Sequence, residues 1–264
     1  MTESNFEHSI RSVCNSVISS TWRKDGFAIS QTSLESSIVA ELQERANHVL
    51  NGHFETGREP WLYIPDKNSK QNNIVMYSHV HWADSTFNVL ATSPLLGGLA
   101  SQLLGVKSVR LWGTSLIAKM GSPSSNNDVI WHRDMTFWQC LSKPKLLTFW
   151  FALDDVHPGN GCLEFAQGSH RVKSYGSDED LDAFTSKVIE LRKGQMSVHH
   201  CLTGHRSNSN KTNTPRRAIS IHLMDGNLDY IPGSPSDHHI NVALIGSFER
   251  RKVDNSYFPI TYES

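Results

Sequence analysis

The sequence predicts a mainly β fold with flanking helices, arranged as a sandwich or jelly roll. Three observations predict it. From about residue 107 onward the chain breaks into apolar runs of strand length, separated by turns rich in Gly, Asn and Asp. Helical periodicity is confined to the stretch before that point. No internal repeat or low-complexity linker divides the 264 residues. They read as one domain, 1–264, with a helical N-terminal part (about 1–106), a jelly-roll core (about 107–225) and a C-terminal extension (about 226–264).

The elements follow in order. Residues 1–30 read as a helix and then a strand, with Asp25-Gly26 as the turn into Phe27-Ala28-Ile29. Thr32-Ser33-Leu34-Glu35 has the form of a capping box. Leu34, Ile38, Leu42, Ala46 and Val49 continue it at helical spacing until Asn51-Gly52. Residues 52–88 read as irregular and aromatic, with an exposed loop at 68–73, and a second helix spans 93–104 before Gly105. Strands are predicted at 109–120, 130–134, 146–153, 162–165, 187–191, 196–201 and 217–224. The run at 146–153 is apolar throughout, as in a strand buried on both faces. The acidic stretch at 177–180 reads as a solvated loop.

Composition narrows the function classes. The chain is 38% apolar and 19% charged with a net charge of −1, ordinary for a globular protein, and it offers no electrostatic case for nucleic acid or an acidic membrane. Four scattered cysteines (Cys14, Cys140, Cys162, Cys201) form no C-x-x-C and fit a reducing, cytoplasmic location. No run approaches the roughly 20 apolar residues of a membrane span. The expected partner is therefore a small molecule, with no nucleic acid and no membrane; nothing in the sequence fixes an oligomeric state.

The chemistry concentrates at Ile130-Trp131-His132-Arg133-Asp134-Met135. On a strand, His132 and Asp134 project to the same side. Imidazole nitrogen and carboxylate oxygen together chelate a divalent transition metal, and one further histidine would complete a two-His-one-carboxylate face of the kind that holds non-haem iron(II). Alone the tripeptide is weak. His199, His200 and His205 compete for the third place; His205 stands where a strand gives way to a polar loop. Arg216, eleven residues further on, is able to grip a carboxylate bidentately. His79-Val80-His81 is a rival metal pair, read more simply as pocket lining or structure. Two other classes fit parts of the pattern: a non-catalytic cupin-like metal binder, and a carbohydrate-binding jelly roll presenting Trp131 and Trp138.

His132-x-Asp134, Trp150 to Asp155, Asn160-Gly161-Cys162-Leu163, Gly168-Ser169-His170, Gly194-Gln195, His205-x-Ser207 and Asn210 to Arg216 occur in this order. Together they resemble the phytanoyl-CoA dioxygenase family of iron(II)/2-oxoglutarate-dependent oxygenases, over about residues 20–225 and most closely after 130. The resemblance implies a double-stranded β-helix (jelly roll, cupin-like). It implies Fe(II), 2-oxoglutarate as co-substrate, and O2, with the co-substrate decarboxylated to succinate and CO2 while a small polar metabolite or natural-product intermediate is hydroxylated. Desaturation, epimerisation or cyclisation use the same centre.

Residue by residue, the resemblance makes His132, Asp134 and His205 the metal ligands. Arg216 becomes the grip on the distal carboxylate of 2-oxoglutarate, assisted by Ser207 and bordered by Trp150. Ser115 and Lys119, on one face of the preceding strand, are further co-substrate candidates, and His200 is a supporting residue. Related halogenases lack the carboxylate, so Asp134 implies a hydroxylase-type centre. Substrate candidates are His81, Trp82, Arg133 and Trp138, within a wider set including Trp61, Tyr63, His79 and Gln139; Arg133 stands where the family often has glutamine. The C-terminal extension is expected to fold back over the barrel mouth or edge.

Overall fold

The computed structural model describes residues 3–64, 74–171, 178, 180–245, 253 and 256–264. The loop expected at 68–73, and Ser177 and Glu179 of the acidic stretch, lie outside them.

Two antiparallel sheets face one another. The larger is built from β1 (Phe27–Ile29), β2 (Leu62–Ile64), β3 (Ile74–Ser78), β4 (Ser108–Lys119), β6 (Leu146–Ala152), β9 (Met196–His200), β11 (Arg216–Asp225) and β12 (Ile260–Glu263). Its order is β1-β9-β6-β11-β4-β3-β2, with β12 pairing the start of β4. The smaller sheet runs β5-β10-β7-β8, from β5 (Val129–His132), β7 (Leu163–Ala166), β8 (Ser186–Ile189) and β10 (His205–Ser207). This is the jelly roll, a double-stranded β-helix. The predicted extended C-terminal return is β12, which pairs with β4 and so covers an edge of the large sheet.

Strand alternation decides what each face carries. On β6, which is buried along its whole length, Leu147, Phe149 and Phe151 join the main core, while Thr148 and Trp150 face the other sheet. The main core lies between the large sheet and the helices α1 (Glu3–Asn15), α3 (Ser36–Leu50), α4 (Ser85–Ala91) and α5 (Pro94–Leu104), through Phe6, Ile38, Leu42, Phe87 and Leu96. The periodic stripe read from the sequence of α3 is in this core. The rear of the large sheet is thereby sealed, and its front is left to build a cavity against the small sheet.

Several local readings change. Residues 1–30 hold two helices, α1 and α2 (Ser19–Asp25), before β1, with Gly26 in the left-handed conformation (φ 83°) closing α2. The expected capping box does not form. Thr32 Oγ1 donates to Ser12 O (3.1 Å) on α1, and the Glu35 amide donates to Ser9 Oγ (2.8 Å), so these side chains dock α3 onto α1 and leave its N-terminus uncapped. The stretch 52–88 contains β3 and α4. Residues Ser85–Leu104 have the length and mean hydropathy (1.2) of a span, contrary to expectation, but they form two helices separated at Thr92-Ser93. Their apolar faces belong to the core.

Phe149 is fully buried in the main core, on the face of β6 that packs against α5. Phe149→Ala is expected to lower unfolding stability by about 3–5 kcal/mol, because the cavity left behind cannot collapse between two fixed layers. Urea denaturation with an unchanged m-value checks this.

Candidate active site

β5 and β10 pair with His205 opposite His132, which sets the two ring centroids 4.1 Å apart. Each ring donates its Nδ1–H to a carbonyl two residues earlier in its own chain: His132 to Ile130 O (2.9 Å) and His205 to Thr203 O (3.0 Å). A carbonyl only accepts, so in the neutral ring the proton is on Nδ1 and Nε2 keeps its lone pair. Burial pushes His205 well below the ordinary histidine range, so its ring is neutral.

Asp134 is not on the strand, as the sequence reading had it. After the extended Arg133 it opens a single helical turn, α6 (Asp134–Phe137). Its Oδ2 accepts from Thr148 Oγ1 (2.7 Å) and from His199 Nε2 (3.2 Å). Thr148 in turn accepts from His222 Nδ1 (2.9 Å), since its own hydrogen goes to the carboxylate. Oδ1 remains, 3.6 Å from His205 Nε2. Burial alone would raise the Asp134 pKa, but the surrounding imidazoles, with His199 donating to Oδ2, hold the carboxyl well below its usual range. The ligand atoms of His132, Asp134 and His205 all lie within 4.8 Å of one another. Among the described residues they are the one such set of His, Cys, Asp or Glu. Two imidazole lone pairs and one carboxylate oxygen converging on a cavity suit a divalent transition metal.

His205 also departs from its expected place. It begins its own short strand after the β9 turn, and that strand is what carries Ser207 to the cavity.

The cavity between the sheets has a volume of about 530 Å³. One end is cationic. Arg216 opens β11 directly across from Lys119 on β4. Its Nη2 donates to Gly161 O (3.0 Å), its Nε has no partner among the described residues, and its guanidinium is 5.2 Å from the Trp150 ring. Lys119 Nζ donates to Ser207 O (3.0 Å) and Asn208 O (2.7 Å). Burial, and then the neighbouring Arg216, bring Lys119 down to about 7, while burial brings Arg216 to about 10 and leaves it charged at neutral pH. Neither cation forms an ion pair among the described residues, so this end is built for an anion.

Nine predicted site residues line the cavity: His132, Asp134, His205, Arg216, Ser207, Trp150, Lys119, Ser115 and Trp138. His81, Trp82 and Arg133 do not. Arg133 is fully buried on the far side of the peptide. It holds Asp180 bidentately (2.9 and 3.0 Å), reaches Asp178 (3.4 Å) and donates from Nε to Leu202 O (3.2 Å). Strand alternation explains it: a residue between two that face the cavity points away. His81 bonds Thr114 Oγ1 (2.9 Å), and Trp82 carries the Arg58 guanidinium 3.6 Å from its ring. His79, by contrast, lines the cavity, as do Ile74 and Met76 of the unexpected β3, Trp112, and the segment from His238 to Asn241. That segment carries no motif; only the tertiary return of the C-terminal part brings it there.

The family profile of phytanoyl-CoA dioxygenase matches residues 22–218. The chain belongs to the phytanoyl-CoA dioxygenase family. Within it, the chain is 26% identical over 182 residues to the mouse phytanoyl-CoA dioxygenase domain-containing protein 1, covering 62% of this chain and 60% of the mouse protein. It is 26% identical over 173 residues to the rice phytanoyl-CoA dioxygenase 1, covering 60% of each. The match thus spans about three fifths of these relatives' length. Among solved structures, the non-haem α-ketoglutarate-dependent epimerase SnoN from nogalamycin biosynthesis superposes with a TM-score of 0.74 at 24% identity, covering 92% of this chain and 96% of that one. EctD from S. alaskensis with 2-oxoglutarate and 5-hydroxyectoine gives 0.70 at 20% identity, covering 81% and 77%. Both share the fold.

Because Arg133 faces away from the cavity, Arg133→Met is expected to act on stability alone. It removes the donor to Leu202 O and the tie to Asp180, a loss of about 1–3 kcal/mol. Thermal unfolding with and without added divalent metal checks it: the midpoint falls, and the shift produced by metal is unchanged.

Proposed function

We propose that the protein is an iron(II)- and 2-oxoglutarate-dependent dioxygenase that hydroxylates a small molecule. One observation carries the reading. The free Nε2 atoms of His132 and His205 and the free Oδ1 of Asp134 open into the same cavity as a buried Arg216 that has no ion pair among the described residues. A non-catalytic metal binder has no use for that guanidinium, and a carbohydrate-binding jelly roll has no use for either feature.

The donor set fits iron(II): three ligands on one face, neutral imidazoles and an ionised carboxylate, with room beside them. Bound there, iron supplies the chemistry that couples 2-oxoglutarate decarboxylation and O2 reduction to C–H oxidation, giving succinate and CO2. The chain's own residues position and shield. Arg216 holds the distal carboxylate of 2-oxoglutarate against the Trp150 ring, and Ser115 on the large sheet and Ser207 on the small one offer hydroxyls from the two sides of the cavity. Lys119 keeps the Ser207–Asn208 backbone in place and adds positive charge across the strand pair. Thr148 and His199 fix the Asp134 carboxylate so that only Oδ1 is offered. His132 and His205 are fixed through their backbone carbonyl partners. Trp138 and Phe137 limit the access of water to the triad.

Among the fold neighbours SnoN is described as an epimerase and SnoK as a carbocyclase, both α-ketoglutarate dependent. The same positioning serves those outcomes, and the product decides among them. A cytoplasmic location belongs to the same proposal: all four cysteines are buried free thiols.

The direct test is succinate formation from 2-oxoglutarate in air, dependent on added iron(II). Absence of any iron-dependent turnover, coupled or uncoupled, contradicts the proposal. Arg216→Ala is expected to raise the 2-oxoglutarate concentration needed by about 10–100-fold, the worth of a charge-assisted pair, while iron still binds. An unchanged requirement would place the co-substrate grip elsewhere. Thr148→Val removes a donor to Asp134 and is expected to weaken metal affinity about 10–100-fold, read by titration with Fe(II) or Mn(II).

A further inference from the structure

At the side of the cavity away from Arg216, three buried residues carry polar atoms without a hydrogen-bond partner among the described residues. They are Trp112 through Nε1, Asn241 through Oδ1, and His79 through both ring nitrogens. All three line the cavity. Buried polar groups are nearly always hydrogen-bonded, so a cluster of exceptions on one wall needs an explanation.

Their placement is built. β4 and β11 lose register where Gly113 pairs with His222 and Leu111 with Leu223, which leaves Trp112 as the extra residue of a bulge. The bulge turns Trp112 to the cavity side, while Leu111 goes to the core behind. Asn241 Nδ2 donates to Trp112 O (2.7 Å), which fixes the amide and leaves Oδ1 as the free atom. His79 has φ 57°, the single non-glycine left-handed residue among those described, and is held there by its amide donating to Thr114 O (2.7 Å). A Cβ placed on Gly113 would sit 3.5 Å from His79 Cε1 and 3.9 Å from Asn241 Nδ2, so the groups surround one spot over that glycine. Backbone strain of this kind in a cavity wall marks a functional constraint.

We propose that Trp112, Asn241 and His79 form the recognition subsite for an uncharged substrate carrying both a hydrogen-bond acceptor and a hydroxyl or amide donor. The inference rests on the cavity being the substrate chamber of the proposed dioxygenase. The indole N–H demands an acceptor, the Asn241 oxygen demands a donor, and the imidazole serves either way. Burial keeps His79 neutral. Among the described lining residues the charged groups lie elsewhere: Lys119 and Arg216 at the co-substrate end, Arg206 paired with Glu164 (2.8 Å), and Asp134 in the triad. The rest of this wall is imidazole and aliphatic, with His222, His238, His239 and Ile240. Among the described lining residues none offers a counter-charge to a carboxylate or a CoA thioester at this wall, and Arg58, which does not line the cavity, is held over the Trp82 ring (3.6 Å).

The test uses three matched probes, methyl 4-hydroxybenzoate, 4-hydroxybenzoate and 4-hydroxybenzoyl-CoA. Each is titrated calorimetrically under anaerobic conditions into the full chain loaded with iron(II) and saturating 2-oxoglutarate. The neutral ester is expected to bind at least tenfold more tightly than the carboxylate or the thioester. Trp112→Phe is expected to weaken the ester by about 3–10-fold, the worth of one hydrogen bond. Equal or tighter binding of either charged probe, no ester binding up to millimolar concentration, or an unchanged affinity in Trp112→Phe overturns the subsite. Titration of 2-oxoglutarate in the same cell separates the two readings: if it fails to bind, the dioxygenase proposal falls, and if it binds while the ester does not, only the subsite falls.

Discussion

The cavity depends on one cross-strand register, the pairing that sets His205 opposite His132 between β10 and β5. Strand pairing holds opposed side chains close together, and a slip of one residue in either strand would send its imidazole to the other face. The third corner is set differently. Asp134 leaves the strand, turns into one helical turn, and is caught by Thr148 on the large sheet. The triad therefore ties the two sheets together across the space where a substrate must enter. The rigid β6–β11–β4 centre of the large sheet, sealed behind by helices, is what gives that tie its precision.

Charge is divided along the same space. Arg216 and Lys119 face one another across the β11–β4 pair, deep in the wall and without carboxylate partners among the described residues. Burial weakens both cations, Lys119 to about 7, so an arriving dianion restores what burial takes away. The imidazole-rich wall made by His79, His239 and His222 is the opposite case: burial pushes each of them down, His239 and His222 to about 4, and keeps them neutral. In the proposed reading, the anion-binding end and the neutral end sit on different stretches of β4, so that co-substrate and substrate would not compete, with the bulge at Trp112 as the boundary.

What could be read from the sequence was whatever alternation and turn chemistry write locally. Most strands from 107 to 225 and the apolar helix stripe at Ile38 to Val49 were legible because each rests on period or turn chemistry; β10 was not, and the grouping of His132, Asp134, His205 and Arg216 was legible only through the ordered family motifs. The elements that were missed depend on distant partners. β3 is defined by its pairing with β4, and Trp112 reaches the cavity through a register shift that only the neighbouring strand reveals. Asn241 and His239 arrive through a C-terminal segment without a signature. Arg133 was misplaced for the opposite reason: motif adjacency suggested the cavity, whereas strand geometry sends the residue between two inward groups outward, onto Asp180. The expected cap at Thr32 failed because its hydroxyl is used to join α3 to α1.

The measurement that bears most directly on the central claim is an anaerobic titration of the purified chain with iron(II) and then 2-oxoglutarate, followed by visible absorption. With iron bound by His132, Asp134 and His205 and the co-substrate held by Arg216, a weak metal-to-ligand charge-transfer band should appear on adding 2-oxoglutarate and saturate at one equivalent per chain. Iron bound at one equivalent with no band at any 2-oxoglutarate concentration would contradict a co-substrate chelated at this triad.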